Sequence, residues 1–211
     1  MAKISVNKII RTLIQTDLIF ISSFGLIAPI FAVFIIKQIN GGNVTVVGFA
    51  AAVYWILKSI LQVPIGKFLD KHRGEKDDLS FLVLGYVLAA TVPLGYIFSF
   101  LPWHIYLFQA IYSIGMAMAI PAWAAIFTRH IDKGKEAFEW SLESSALSFG
   151  VGVTGAIGGI LVAKFGFDMV FIIVSVFALS GALLPLLIYK DVAPRGDHCI
   201  RVPEIKKPPL P

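Results

Sequence analysis

Six apolar runs, at 15–36, 44–65, 79–99, 104–128, 141–163 and 168–189, alternate with short polar stretches along the chain. A helix needs about 20 predominantly apolar residues to cross a hydrocarbon core, so each run predicts one crossing. Charges fence most of them: 18–36 lies between Asp17 and Lys37, and 169–189 between Asp168 and Lys190. The stretch 79–128 holds no Asp, Glu, Lys or Arg and is too long for one crossing. Its break is "SFLPWH", where Pro102 suits a first helical turn and Trp103 a membrane interface. Asn43 or Thr45 is expected to cap the second run and Asp168 the sixth. Asp77 and Asp78 complement the positive end of the third, and Gly66 and Lys67 suit the C-terminal end of the second. The fold class expected is an all-α polytopic membrane protein of six transmembrane helices, with a domain at 1–190 and a Pro-rich tail at 191–211.

Composition agrees with that pattern. The 211 residues are 57% hydrophobic and 15% charged, where soluble domains carry about 25% charged residues. The 18 Lys and Arg are unevenly placed. Only Lys37 and Lys164 fall in the odd-numbered connections and Lys58 falls inside a run; all the others lie at the termini or in the remaining loops. The positive-inside tendency therefore predicts both termini in the cytoplasm, in a cell inner (plasma) membrane. A net charge of +5 dispersed over short loops reflects topology and predicts no nucleic-acid partner. The basic N-terminal residues precede an apolar run long enough to span, with no small-residue cleavage site behind it, so the first span is expected to stay attached. The lone Cys199 excludes a disulfide framework. Pro194, Pro203, Pro208, Pro209 and Pro211 predict an extended tail.

Polar groups inside the runs point to a pathway, because each is costly in hydrocarbon. Lys58 lies nine residues from Lys67, about 13 Å along a helix axis, near the middle of the membrane. It either faces a watery path or snorkels to the cytoplasmic surface. Asp17 and Glu143 are the intramembrane acids; a path lining and a helix-end role are both open to them. Gln109 and Tyr112 in the fourth run complete the candidate solute or ion pathway. In the fifth run Ser144, Ser148, Gly152, Ala156 and Gly159 recur every three or four residues, with Gly155 beside them, and present a low-bulk face that another helix backbone can approach. The overlapping "GVGVTG" at 150–155 has dinucleotide-fingerprint spacing, but it sits inside an apolar run without the strand that motif requires. The sequence carries no catalytic arrangement, no metal-ligand cluster and no phosphate loop, which argues against an enzyme and implies no metal and no cofactor.

One stretch remains. "GKFLDKHRGEKDD" at 66–78 packs eight charges into thirteen residues between the second and third runs. Gly66, Asp70 and Lys71, in this position between two spans, resemble the charged loop of major facilitator superfamily transporters. Gly74 comes one residue later than that signature has its glycine, and Glu75 stands where a base is usual. Pro29 in the first run and "TRHIDKGKEAFEWS" before a glycine-rich fifth run extend the resemblance over 10–190, as one six-helix, N-terminal-type half. The resemblance implies a 3+3 inverted repeat within the half. It also implies a gate at the cytoplasmic seam, with Asp70 as the gate residue, Lys71 and Arg73 as its candidate partners, and Gly66 and Gly74 shaping the loop. The antiporter signature of the fifth span is not met, since Thr154 and Gly155 occupy its Gly-Pro places.

Two functions fit these features. The first is a secondary transporter moving a small solute by alternating access, built as a homodimer of six-span halves or completed by another half, whether the chain is a natural half or a piece of a longer one. The second is a non-transporting six-span scaffold or partner subunit that retains the fold. Small polar metabolites and amphipathic compounds both fit the first.

Overall fold

The computed structural model describes residues 6–72 and 74–192. Among them the regular structure is helical throughout, with no strand: α1 Lys8–Gly25, α2 Phe31–Gln38, α3 Val44–His72, α4 Glu75–Ile97, α5 Pro102–His130 and α6 Glu136–Leu183, followed by a 3-10 turn at Leu184–Ile188. Four helical segments are long and apolar enough to cross a membrane: Val44–Lys71, Glu75–Ile97, Pro102–His130 and Glu136–Ile188. Of the tail expected at 191–211, residues 193–211 lie outside the described residues, as does Arg73.

The first apolar run is not one helix. Asn7 caps α1, its Oδ1 accepting from the Ile10 N–H at 2.9 Å. After Gly25 the backbone tightens into three-residue turns, with Leu26 bonded to Ser23 and Ile27 to Phe24. Pro29, which has no N–H to donate, sits in this segment, and α2 resumes the helix at Phe31. The turn beyond is made by Gly41 at φ 79° and by Asn43, whose Oδ1 accepts from the Val46 N–H at 3.1 Å. Asn43 is thus the cap of α3.

The helices overrun the apolar runs at most ends. α3 continues to His72, so Gly66 and Lys67 lie inside it, a turn and a half short of its end. The charged loop is correspondingly short, and its acids Glu75, Asp77 and Asp78 form the first turn of α4. α5 begins with Pro102 in its first turn. There His104 Nδ1 accepts from the backbone N–H groups of Phe100 and Leu101 at 3.2 and 3.1 Å. α6 has 48 residues, about 72 Å at the usual rise and more than twice a hydrocarbon core. Gly166, at φ 79° and ψ 174°, breaks it into two arms.

Small residues set the helix spacing. Gly85 of α4 and Gly115 of α5 face each other so closely that a Cβ on Gly85 would lie 2.5 Å from the Gly115 oxygen, and one on Gly115 2.6 Å from the Gly85 oxygen. α1 meets the first arm of α6 through Gly150 against Ser22, Thr154 against Gly25 and Gly158 against the Leu26 carbonyl. Two apolar cores result. One, toward the loop between α3 and α4, includes Ile10, Leu13, Phe20, Leu82, Tyr86 and Phe127. The other, toward the opposite end, includes Leu26, Phe34, Ile35, Tyr96, Ile105 and Phe171.

Candidate functional site

α1 and α2, α3 and α5 leave a cavity of about 350 Å³ between them. Rings dominate its lining: Phe24 and Phe31 from the α1–α2 segment, Tyr54 and Trp55 from α3, Tyr96 from α4 and Tyr112 from α5, with the Gln109 amide beside them. Tyr112 lies 5.1 Å from Tyr54 and 4.9 Å from Phe24, centroid to centroid. Ser113 Oγ donates to the Tyr54 carbonyl oxygen at 2.9 Å, which pins α3 to α5 at the level of the cavity. Lys58 stands one turn further along α3 and folds back, its Nζ 4.3 Å from the centre of the Trp55 ring and 5.3 Å from that of Tyr54. Spacings of three and four residues put the three side chains on one helix face. Lys58 forms no salt bridge with any described residue. It is the fifteenth of the 29 residues of α3. A charge at that depth costs about 2.5–3.5 kcal/mol on insertion scales, and contact with aromatic faces offsets only part of it.

A second polar group lies deeper in the bundle. Asp17 of α1 is buried, and the Tyr86 hydroxyl of α4 donates to its Oδ1 at 2.6 Å. Phe20 stacks on Tyr86 with centroids 3.9 Å apart, and Glu143 of α6 is near enough for its charge to act on Asp17. The two polar places are joined by rings in contact, from Tyr54 through Tyr112, Phe24 and Phe20 to Tyr86.

At the end of the bundle that carries the α3–α4 loop, charges from four helix ends interlock. Arg129 of α5 pairs with Asp78 of α4. His130 Nε2 lies 3.8 Å from Glu75 Oε2. Asn7 Nδ2 donates to the His130 carbonyl oxygen at 2.7 Å and to Asp132 Oδ1 at 3.1 Å. Glu139, buried in the first turn of α6, accepts from the Asp132 N–H at 3.1 Å. The Asn7 amide first, and then the Lys135 ammonium, hold the Asp132 carboxyl below the usual carboxylate range. Asp78 Oδ1 and Glu139 Oε1 have no hydrogen-bond partner among the described residues.

The structure sorts the residues expected from sequence. Gln109 and Tyr112 line the aromatic cavity and Lys58 lies over two of its rings, while Asp17 and Glu143 are grouped elsewhere, around Tyr86. In the charged stretch Asp70 and Lys71 are exposed and Gly74 is the buried residue that precedes α4. A Cβ on Gly66 would meet only the Pro121 side chain, at 3.8 Å. On α6, Ser148, Gly152, Ala156 and Gly159 are exposed, and Gly152 and Gly159 border open space. The face that meets α1 is the neighbouring one, and Gly155 sits at its rim, where a Cβ would lie 3.8 Å from the Gly25 oxygen. Sequence reasoning missed the pairing of Asp78 with Arg129 and the place of Glu139, and it missed Tyr54 and Trp55. The ring pair was detectable at three and four residues before Lys58; the ion pair spans 51 positions and leaves no periodic trace.

Residues 18–211 match the family described as Major Facilitator Superfamily. No curated protein matches the chain.

Proposed function

The chain belongs to the major facilitator superfamily, and we propose that it is a transporter that moves a small solute by alternating access, working as a pair of six-span units. An integral membrane protein follows from the family and from the apolar helices, and family membership speaks for transport rather than catalysis. In this reading the six crossings are α1 with α2, then α3, α4 and α5, and the two arms of α6 on either side of Gly166. Both termini and the interlocked polar groups of Asn7, Asp78, Arg129 and Glu139 lie on the cytoplasmic side, in keeping with the distribution of Lys and Arg.

The observation that carries the reading is the aromatic cavity. It opens between three helical segments at the depth of Lys58, and ligand sites in such transporters lie near the midplane. A six-span unit leaves that cavity open on one side. Trp55, Ile56, Ile60 and Val63 of α3 are exposed, and the small-residue face of α6 is uncovered. A second copy related by a twofold axis along the membrane normal closes the cavity by setting the first arm of α6 against α3 of its partner. Asp70 and Lys71, exposed at the end of α3, then lie at the seam, where a gate is required.

The test is a solute screen on the purified chain in lipid nanodiscs, followed by flux into proteoliposomes. A solute that binds the native state raises its unfolding temperature, and the expected result is at least one such solute that also crosses the vesicle membrane through the protein. Stabilisation without flux, together with a lasting complex with another membrane protein, moves the assignment to a scaffold or partner subunit.

A further inference from the structure

We infer that the aromatic cavity takes an organic monoanion with a flat apolar body, whose charged group pairs with Lys58. The inference deepens the transport reading and rests on it for the purpose of the cavity. Lys58 is a cation at mid-helix with ring faces for partners and no carboxylate among the described residues. Asp17, buried in α1, is engaged by Tyr86 and does not line the cavity. Aromatic faces attract cations, but two of the faces here are already held by Lys58, and its charge repels a second ammonium. A neutral solute leaves that charge as it finds it. An anion supplies the missing counter-charge in a place of low dielectric, where a charge-assisted hydrogen bond is stronger than in water. The rest of the lining selects the body. Phe24, Phe31 and Tyr112 line the cavity with rings against which a planar solute can pack, and the Gln109 amide adds one donor and one acceptor. A volume of about 350 Å³ admits a small bicyclic molecule and excludes a two-chain lipid.

The experiment is equilibrium dialysis of the full chain in nanodiscs against 1-naphthoate, 1-naphthylmethanol, 1-naphthylmethylamine and octanoate, with empty nanodiscs as the blank. Naphthoate is expected to bind most tightly. Lys58→Gln is expected to weaken it about tenfold or more, the effect of losing one charge-assisted bond. Lys58→Arg, which keeps the charge, is expected to retain most of the affinity and serves as the second variant if Lys58→Gln fails to insert. Tyr112→Ala is expected to weaken naphthoate and naphthylmethanol alike. Absence of naphthoate binding, equal binding of the amine or of octanoate, or an affinity unchanged in Lys58→Gln would overturn the inference. Failure of the wider reading looks different: naphthoate bound with Lys58 dependence but never carried across a vesicle membrane sinks transport and leaves the anion site standing, whereas flux of an unrelated solute insensitive to Lys58 does the reverse.

Discussion

The Tyr86 hydroxyl donates to the Asp17 carboxyl at 2.6 Å, joining α4 to α1 in the middle of the bundle. Both groups are buried, and Phe20 covers the phenol ring from one side. Inside a membrane protein such a bond is worth less than the low dielectric suggests, because alternative partners exist in the unfolded reference state. Tyr86→Phe keeps the ring stack and removes the donor. The expected cost is about 1–2 kcal/mol, read as a lower unfolding midpoint in detergent. Asp17→Leu, which removes the acceptor, should in the same background add little to that particular loss, since both changes remove one interaction. Full additivity of the two would mean that the bond contributes nothing.

The pairing of Asp78 with Arg129 is asymmetric. The Asp78 side chain is 1% exposed and that of Arg129 28%, so removing the base leaves a buried carboxylate with no counter-charge. Breaking a buried pair costs about 3–5 kcal/mol, and the partial exposure of Arg129 places this one at the lower end. Arg129→Gln should therefore unfold at clearly lower temperature than Asp78→Asn, which removes the costly charge itself. The order of the two midpoints is the measurement; the reverse order would show that Asp78 is not the buried partner.

How much of this was legible beforehand follows from what each signal depends on. Apolar run length locates helices because hydrocarbon thickness sets it, and the runs fall on the observed elements. The ends do not follow apolarity. α3 continues through Asp70 to His72, since a helix still satisfies its own backbone at the interface. The break between α1 and α2 was not expected either, because residues 26–30 are as apolar as their surroundings. The glycine-rich fifth run announced close packing and hid its direction. Two low-bulk faces lie side by side there, and only the positions of Ser22, Gly25 and Leu26 on α1 decide that Gly150 and Gly158 are the buried pair. Lys58, Gln109 and Tyr112 were legible singly, as polar groups in apolar runs. That Gln109 and Tyr112 line one cavity whose rings Lys58 touches, and that Asp17 does not, is a property of how α3 and α5 pack.

Asp70 offers a contrast with Asp78. It is exposed at the end of α3 and makes no salt bridge with a described residue. An exposed unpaired carboxylate adds little to the stability of its own unit. Asp70→Asn should thus leave the unfolding midpoint within about 0.5 kcal/mol of the parent while slowing transport, because in the paired arrangement proposed above the seam between units loses a gate charge. Flux in proteoliposomes and thermal unfolding, measured on the same preparation, separate the two effects. Unchanged flux would reduce the loop to a topology signal.

The two faces of α6 give the sharpest division between folding and assembly. A methyl group on Gly158 would collide with the Leu26 carbonyl of α1, whereas one on Gly152 would meet nothing within 4 Å. Gly158→Ala must therefore push α1 and α6 apart, and overpacking of this kind costs about 1–3 kcal/mol. Gly152→Ala should leave the isolated unit as stable as before. Its larger relative Gly152→Leu adds bulk to the face assigned to the second copy, where close backbone approach is the source of attraction. The expected outcome is a unit that folds with the parent's midpoint but shifts from dimer to monomer when its mass is measured in nanodiscs of rising protein density. A parent that is monomeric at every density removes the paired arrangement. A Gly152→Leu protein that stays dimeric places the contact elsewhere, and crosslinks from cysteines introduced at Gly152 and Ala52 would then fail to form between copies.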